Sequence, residues 1–365
     1  MKSMLKLFSI WWWIILIVMP LSISCGGGDS EKTADDDAAF GDDDFAADDD
    51  QDGALEDYLN AIPDPESLML MLPGSNLTQT QTLGELAEYY AETVDFTTDV
   101  NYYILEMLSV IDQITIYNPT SFDGATITWG PWQESGLAAV TERFIITNVE
   151  GNHYEYHLDW RDKDSEDEAD WVVIWQGSVD ADTETERRGV GLFTIDYAAA
   201  KELDPPRVDA LGTIEVDYDT LTDGRRIDIE FVEFLPDDEE TPINGFYNYH
   251  EHADLTGKFT FDAWVDLEGA DGPDGLFEHL WFNTRWEGGG NGRTDIIATD
   301  GGIPFMPLGG ALTAEQINIS ECWDDQFLRV YYFEEIICDD GTQIPGLVEG
   351  DPNDCTLEEQ QPVIQ

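Results

Sequence analysis

The residues best equipped for chemistry in this chain are its five histidines. His250 and His252 bracket Glu251, and His153 and His157 bracket "YEY". On a β-strand, residues two or four apart project from one face. Each pair could therefore offer two imidazoles to one zinc ion, with a third ligand from a neighbouring strand. His279 stands in the strand-like stretch "FEHLWFNTRW". The same histidines also read as solvated positions among Glu155, Asp159 and Glu251. His250, His252, His153, His157 and His279 are thus candidate ligands, and no metal site is assigned.

Other chemistry is harder to find. Carboxylates are so abundant that no two single themselves out as a glycosidase pair. There is no Gly-x-Ser-x-Gly elbow, phosphate loop or dinucleotide fingerprint, and "GGGNG" (288–292) joins two strands without opening a helix. Asp48-x-Asp50-x-Asp52-Gly53 begins like an EF-hand loop, but its twelfth position is Leu59 where a bidentate Glu is needed. No catalytic residue, and hence no enzyme, is expected. Stacked aromatic faces leave carbohydrate binding as a minor reading, beside a hydrolase.

Of the four cysteines, Cys25 belongs to the N-terminal segment. Between Cys322 and Cys338 lies "WDDQFLRVYYFEEII", which reads mainly as a strand. At about 3.3 Å per residue its ends are tens of ångströms apart, whereas the Cα atoms of a disulfide lie within about 7 Å. The "DDG" at 339–341 can return the chain toward its start, so the expected bond is Cys322–Cys355, with Cys338 buried and unpaired.

The elements that must position these residues begin with the N-terminus. Lys2 and Lys6 precede an almost continuous apolar run, Leu7–Leu21, which ends in "SIS" and Cys25. A basic segment, an apolar core and small residues are the parts of an export signal. This stretch resembles a bacterial lipoprotein signal. That resemblance implies cleavage after residue 24, and a diacylglyceryl group plus a further acyl chain such as palmitate on Cys25. Gly26, directly after the cysteine, implies sorting to the outer membrane. Glycines and then aspartates follow to about residue 53, too polar to bury a core, and read as a disordered acidic tether.

The chain of 365 residues carries 78 acidic and 16 basic residues, a net charge of −62. Such a field repels nucleic acid, which is excluded as a partner. It suits a protein in high salt, or one with calcium associated over its acidic surface. The expected partners are the bilayer, through Cys25, and an envelope protein or an apolar ligand.

Beyond the tether the hydrophobic period is 3.6. Leu83, Leu86, Ala87, Tyr90, Ala91 and Val94 predict one helix, and 99–117 a second that is apolar on most sides. From about residue 124 the period becomes two. Ile214, Val216 and Tyr218 alternate with acids, Asp223-Gly224 supplies a turn, and Ile227, Ile229 and Phe231 resume the alternation. About a dozen such runs follow one another, interrupted by a helical stretch at 197–206. The expected fold is mainly β within an α+β class. It is a long antiparallel meander, strongly curved or closed as a barrel around the N-terminal helices. The expected order is a signal peptide (1–24), lipidated Cys25 and tether (25–53), a helical segment (54–122), the meander (123–335) and a disulfide-pinned tail (336–365).

"TWGPW" (128–132), "GVGLFTIDYAAAKELDP" (189–205), "DGRRIDIEF" (223–231) and "ECWDDQFLRVYY" (321–332) carry a resemblance to uncharacterised acidic envelope lipoproteins of Gram-negative bacteria. It implies a class and no mechanism. In architecture alone the layout is similar to lipoprotein carriers and lipocalin-like barrels, which hold lipid against a curved sheet. The expected function is that of a membrane-anchored envelope lipoprotein with a structural or interaction role. The alternative is a binding module holding an apolar ligand between sheet and helix.

The charge balance makes a prediction. Folding concentrates like charges that the unfolded chain keeps apart, and the Debye length shrinks from about 30 Å at 0.01 M salt to about 3 Å at 1 M. The domain 54–365 is expected to gain melting temperature steeply between these limits, alike in sodium and potassium chloride. Millimolar calcium over constant high sodium chloride should add little. A sharp further rise with calcium would replace screening by specific calcium sites.

Overall fold

The computed structural model describes residues 49–74, 86–133, 139–208, 210–221, 224–235, 242–265, 278–299, 306–309 and 312–361. Cys25 and the apolar run before it lie outside these residues, as does Asp223 of the expected Asp223-Gly224 turn.

Helix α1 (Asp49–Asn60) opens the described chain. It starts inside the stretch read above as tether. Its first four residues are Asp49, Asp50, Gln51 and Asp52. An extended segment follows, with a 3-10 turn at Pro65–Leu68 whose Glu66 N–H is capped by the Asp64 side chain. Helix α2 (Glu88–Thr115) is one continuous rod and not two helices. The residues between the two expected helices, Asp95 to Thr98, include neither Gly nor Pro to interrupt it.

The remainder is one sheet. Its strands are β1 (Ser121–Asp123), β2 (Thr126–Trp132), β3 (Val140–Glu150), β4 (His153–Asp162), β5 (Val172–Ala181) and β6 (Gly189–Asp196). Helix α3 (Tyr197–Leu203), capped by Asp196, interrupts where the sequence predicts a helix. Then come β7 (Leu211–Asp219), β8 (Gly224–Leu235), β9 (Ile243–His252), β10 (Gly257–Val265), β11 (Glu278–Trp286) and β12 (Gly292–Thr299). Finally β13 (Met306–Gly309), β14 (Leu312–Trp323), β15 (Arg329–Cys338) and β16 (Gln343–Gly350) complete it. Fifteen strands lie side by side in chain order, each antiparallel to the next, and β13 pairs with β14 off this path. β16 lies within the stretch read above as a disulfide-pinned tail: "QIPGLVEG" alternates poorly and contains Pro345, yet it pairs along β15.

The expected closure or strong curl is not what forms. β1 and β16 are the two ends of the path and, among the described residues, do not pair with each other. Both ends are blunt. β1 has three residues, and β16 carries Pro345 and Gly346 in an almost wholly exposed strand. Short or proline-bearing edges resist further pairing.

One face of the sheet is covered by α2 and by the extended segment 61–72. Phe96 of α2 lies against the rings of Tyr247, Phe259 and Phe261. Thr93 bonds Thr284, which bonds Thr294, each at 2.8 Å between hydroxyls. The side chain of Asn101 both donates to and accepts from the backbone of Leu70, so the extended segment is stitched to the helix. Tyr249 on β9 does the same for Met71.

Elsewhere the sheet covers itself. Tyr156 lies over its cross-strand partner Gly177, and Tyr218 over Gly191. Trp286 lies over Gly257, and Trp323 over Gly292. In each pair a large ring occupies the space that a Cβ would fill, the aromatic rescue of a glycine in a sheet. Tyr156 leans inward from β4 and Tyr218 from β7, and burial pushes both phenols well above their ordinary range.

These pairs set a stability prediction. A Cβ on Gly191 would meet the Tyr218 hydroxyl at 2.5 Å and the Ser178 carbonyl at 2.6 Å. Gly191→Val is expected to cost about 2–4 kcal/mol in denaturant unfolding. Gly289→Ala, whose nearest neighbour would be Asn291 at 3.9 Å, should stay within about 0.5 kcal/mol of the parent. Equal effects would mean that ring-over-glycine contact does not organise the sheet.

Candidate functional site

Polar and charged groups gather at four places. The first is the start of α2. Both oxygens of Glu321, fully buried on β14, accept N–H bonds, from Glu88 at 2.9 Å and from Tyr89 at 2.6 Å. A strand carboxylate thus caps a helix that has no capping side chain of its own. The Arg329 guanidinium stands 3.7 Å away. Burial nevertheless raises the Glu321 carboxyl to about 7, against the lowering effect of the two N–H groups and Arg329.

The second place is the outer face of β11, β12 and β14. There Asp295 accepts from Arg293 at 2.7 Å, Arg285 at 2.9 Å, Ser320 at 2.8 Å and the Gln360 N–H at 3.1 Å. Arg285 and Arg293 also donate to the carbonyls of Glu358 and Leu357. The Cys322–Cys355 disulfide, with Cα atoms 5.6 Å apart, anchors the same tail, as the spacing predicts. Cys338 is free and buried, again as expected. This cluster bonds mainly within itself, the buried Arg285 Nε excepted, and clasps the C-terminus to the sheet.

The third is the outer face of β3 to β5. Asp159, buried, accepts from Arg143 at 2.8 Å and pairs with His157 at 2.6 Å. Arg143 and Arg161 both stack on the Trp171 ring, their guanidinium carbons 4.2 and 4.4 Å from its centroid.

The candidate zinc ligands are not brought together. His153 and His157 do share a face of β4, but His153 pairs with Asp180 at 2.8 Å and His157 with Asp159. His279 pairs with Asp262 at 2.5 Å, and its ring lies 5.0 Å from that of Trp264. His250 and His252 have ring centroids 4.1 Å apart, yet the strand partners of His250 are Arg226 and Lys258. Burial and these neighbouring cations lower its pKa. Among the described residues, no three His, Cys, Asp or Glu side chains form a metal-sized group.

The fourth place is a groove of about 370 Å³ at the end of the sheet where the tight turns lie. One wall is the 3-10 turn, with Asp64, Glu66 and Ser67. The other is built from Arg188 before β6, Thr220 after β7, Gly224 and Arg225 at the start of β8, Glu251 and His252 at the end of β9, and Ala253 and Leu255 after it. Arg225 bonds the Met69 carbonyl and lies 3.3 Å from Glu251. Arg187 turns the other way in a left-handed conformation, φ 56°. Its guanidinium reaches Asp112 of α2 at 2.7 Å and the Ile62 carbonyl at 3.2 Å. This leaves Arg188, among the described residues, as the arginine of the groove without a partner. Of these places the groove is the candidate site, because it alone combines an open volume with charged groups not consumed by the fold.

Sequence reasoning passed over it. The doublets Arg187-Arg188 and Arg225-Arg226, in a chain this acidic, were the available signal. No protein-family model, curated protein or solved structure matches the chain.

The buried Glu321 gives a pH prediction. An unfolded chain releases this proton near the ordinary 4.5 of glutamate, the folded chain near 7. Across that window the folded state holds more protons, so this group's contribution to stability falls as pH rises. Glu92, also raised to about 7 by burial and by Asp95 and Glu88, titrates in the same window and is present in both proteins compared. Glu321→Gln is therefore expected to melt lower above pH 7, where one amide oxygen replaces two carboxylate acceptors, and to lose part of the decline between pH 4.5 and 7. Calorimetry across the window checks this; an unaltered slope would assign the titration to other groups.

Proposed function

We propose that this chain is a non-catalytic envelope lipoprotein, attached to the membrane by acyl chains on Cys25, whose folded part works through its surface. The observation that carries the reading is the sequence of Lys2, Lys6, the apolar run Leu7–Leu21, Cys25 and the glycine–aspartate stretch behind it. No helix among the described residues is long and apolar enough to cross a membrane. Attachment in this reading therefore rests on the N-terminal segment. Two or more acyl chains hold a protein stably where one does not, and the outer membrane is the proposed site because Gly26 follows the cysteine.

Surface action is favoured over an apolar ligand between sheet and helix by what fills that space. Phe96, Tyr247, Phe259, Phe261 and Phe282 form a continuous ring cluster there. Along this stretch α2 lies directly on the sheet.

The test is Cys25→Ala in a didermal bacterial host fed a labelled fatty acid. The parent should take up label and fractionate with the outer membrane. The variant should accumulate as unlabelled, full-length precursor. A variant still cut before residue 25 and still membrane-bound would sink the lipoprotein reading.

A further inference from the structure

We propose that the groove between the 3-10 turn, the start of β8 and the β9–β10 turn binds a short zwitterionic peptide, its carboxylate on Arg188 and its ammonium on Glu66. The inference concerns the folded domain and stands apart from membrane attachment.

Arg188 carries the argument. This chain has 78 acidic residues for 16 basic ones. Every other arginine is consumed by an acid of the fold: Arg143 by Asp159, Arg161 by Glu168, Arg187 by Asp112, Arg207 by Glu142 and Arg225 by Glu251. Arg226 pairs with Asp217 and Asp228, Arg285 and Arg293 with Asp295, and Arg329 with Glu321 and Glu349. Arg188 is exposed and, among the described residues, its guanidinium has neither ion pair nor hydrogen bond. Acid is not scarce around it, since Asp64, Glu66 and Glu251 line the same groove.

The neighbouring backbone keeps it there. The left-handed turn at Arg187 sends that side chain to α2 and the Ile62 carbonyl. The Arg187 carbonyl accepts from the Asp64 N–H at 2.9 Å, fixing the 3-10 wall against this strand. Arg188 accepts from Asp182 through its own carbonyl at 2.8 Å. The backbone is therefore pinned while the guanidinium remains available. A guanidinium is a fork of donors matched to a carboxylate.

Charge balance selects the rest of the ligand. A purely anionic molecule would gain Arg188 but meet Asp64, Glu66 and the repulsion of the whole chain. Asp64 is already occupied in capping the Glu66 N–H, and Glu251 is paired with Arg225. The Glu66 carboxylate is exposed and unengaged among the described residues. A ligand with a carboxylate at one end and an ammonium at the other satisfies both free groups at once. The volume of about 370 Å³ lies at the small end of ligand sites, the size of a peptide of two or three residues.

The probes are alanine, dialanine and trialanine, titrated by calorimetry into the full chain in detergent at about 0.1 M salt. Dialanine or trialanine should bind saturably below about 10 mM, and Arg188→Gln should weaken it at least about tenfold, the scale of one charge-assisted pair. Glu66→Gln should weaken it similarly, as should amidating or acetylating the peptide. Neither side chain supports the fold, so both variants should melt with the parent. Absence of saturable binding by all three probes would overturn the proposal. So would binding that survives Arg188→Gln, or binding of acetate as tight as that of the peptide.

Discussion

A sheet of fifteen strands has far more apolar face than one helix can cover. At about 4.8 Å per strand it would measure roughly 70 Å across, whereas the 28 residues of α2 span about 42 Å. The helix is laid across the strands, from Glu321 on β14 at its start to Trp129 on β2, whose indole donates to the Tyr117 carbonyl just beyond its end. Everything else on that face has to be covered by the sheet or by short accessory pieces. Rings lying over cross-strand glycines, the segment 61–72 and α3 are how this is done.

The same constraint explains why the sheet stays open. A barrel solves the covering problem by turning one face inward, at the cost of a fixed interior to fill. Here the covering is linear, and each strand needs only its two neighbours. The ends are left as a three-residue strand and a proline-bearing one. The outer face of β11, β12 and β14 needs its own cover, which the disulfide-anchored tail provides over Arg285, Arg293 and Asp295.

Much of this could be read from residue order. The alternation of Ile214, Val216 and Tyr218 with acids, the helical stretch from Tyr197 and the pairing of Cys322 with Cys355 rest on periods and reach, which are local. What could not be read was partnership across the sheet. Glu321 is one acid among many until β14 brings it to the start of α2. Arg188 differs from Arg187 only because the left-handed turn at Arg187 sends one inward and leaves the other in the groove. β16 was missed because Pro345 and Gly346 break the pattern that marks a strand. Closure was expected because a long meander usually curls, and the sequence holds no local sign of how far its ends will travel.

The order of the strands in space is the order in which the chain is made, so an emerging chain could add each strand to the last without waiting for distant partners. Helix α2 is the exception. It precedes every strand, and the carboxylate that caps it arrives 233 residues later. For that whole interval its apolar side has only a partial sheet to rest on. Until β14 is in place the first N–H groups of α2 lack the Glu321 carboxylate, so the start of this helix is completed only when nearly all of the sheet exists.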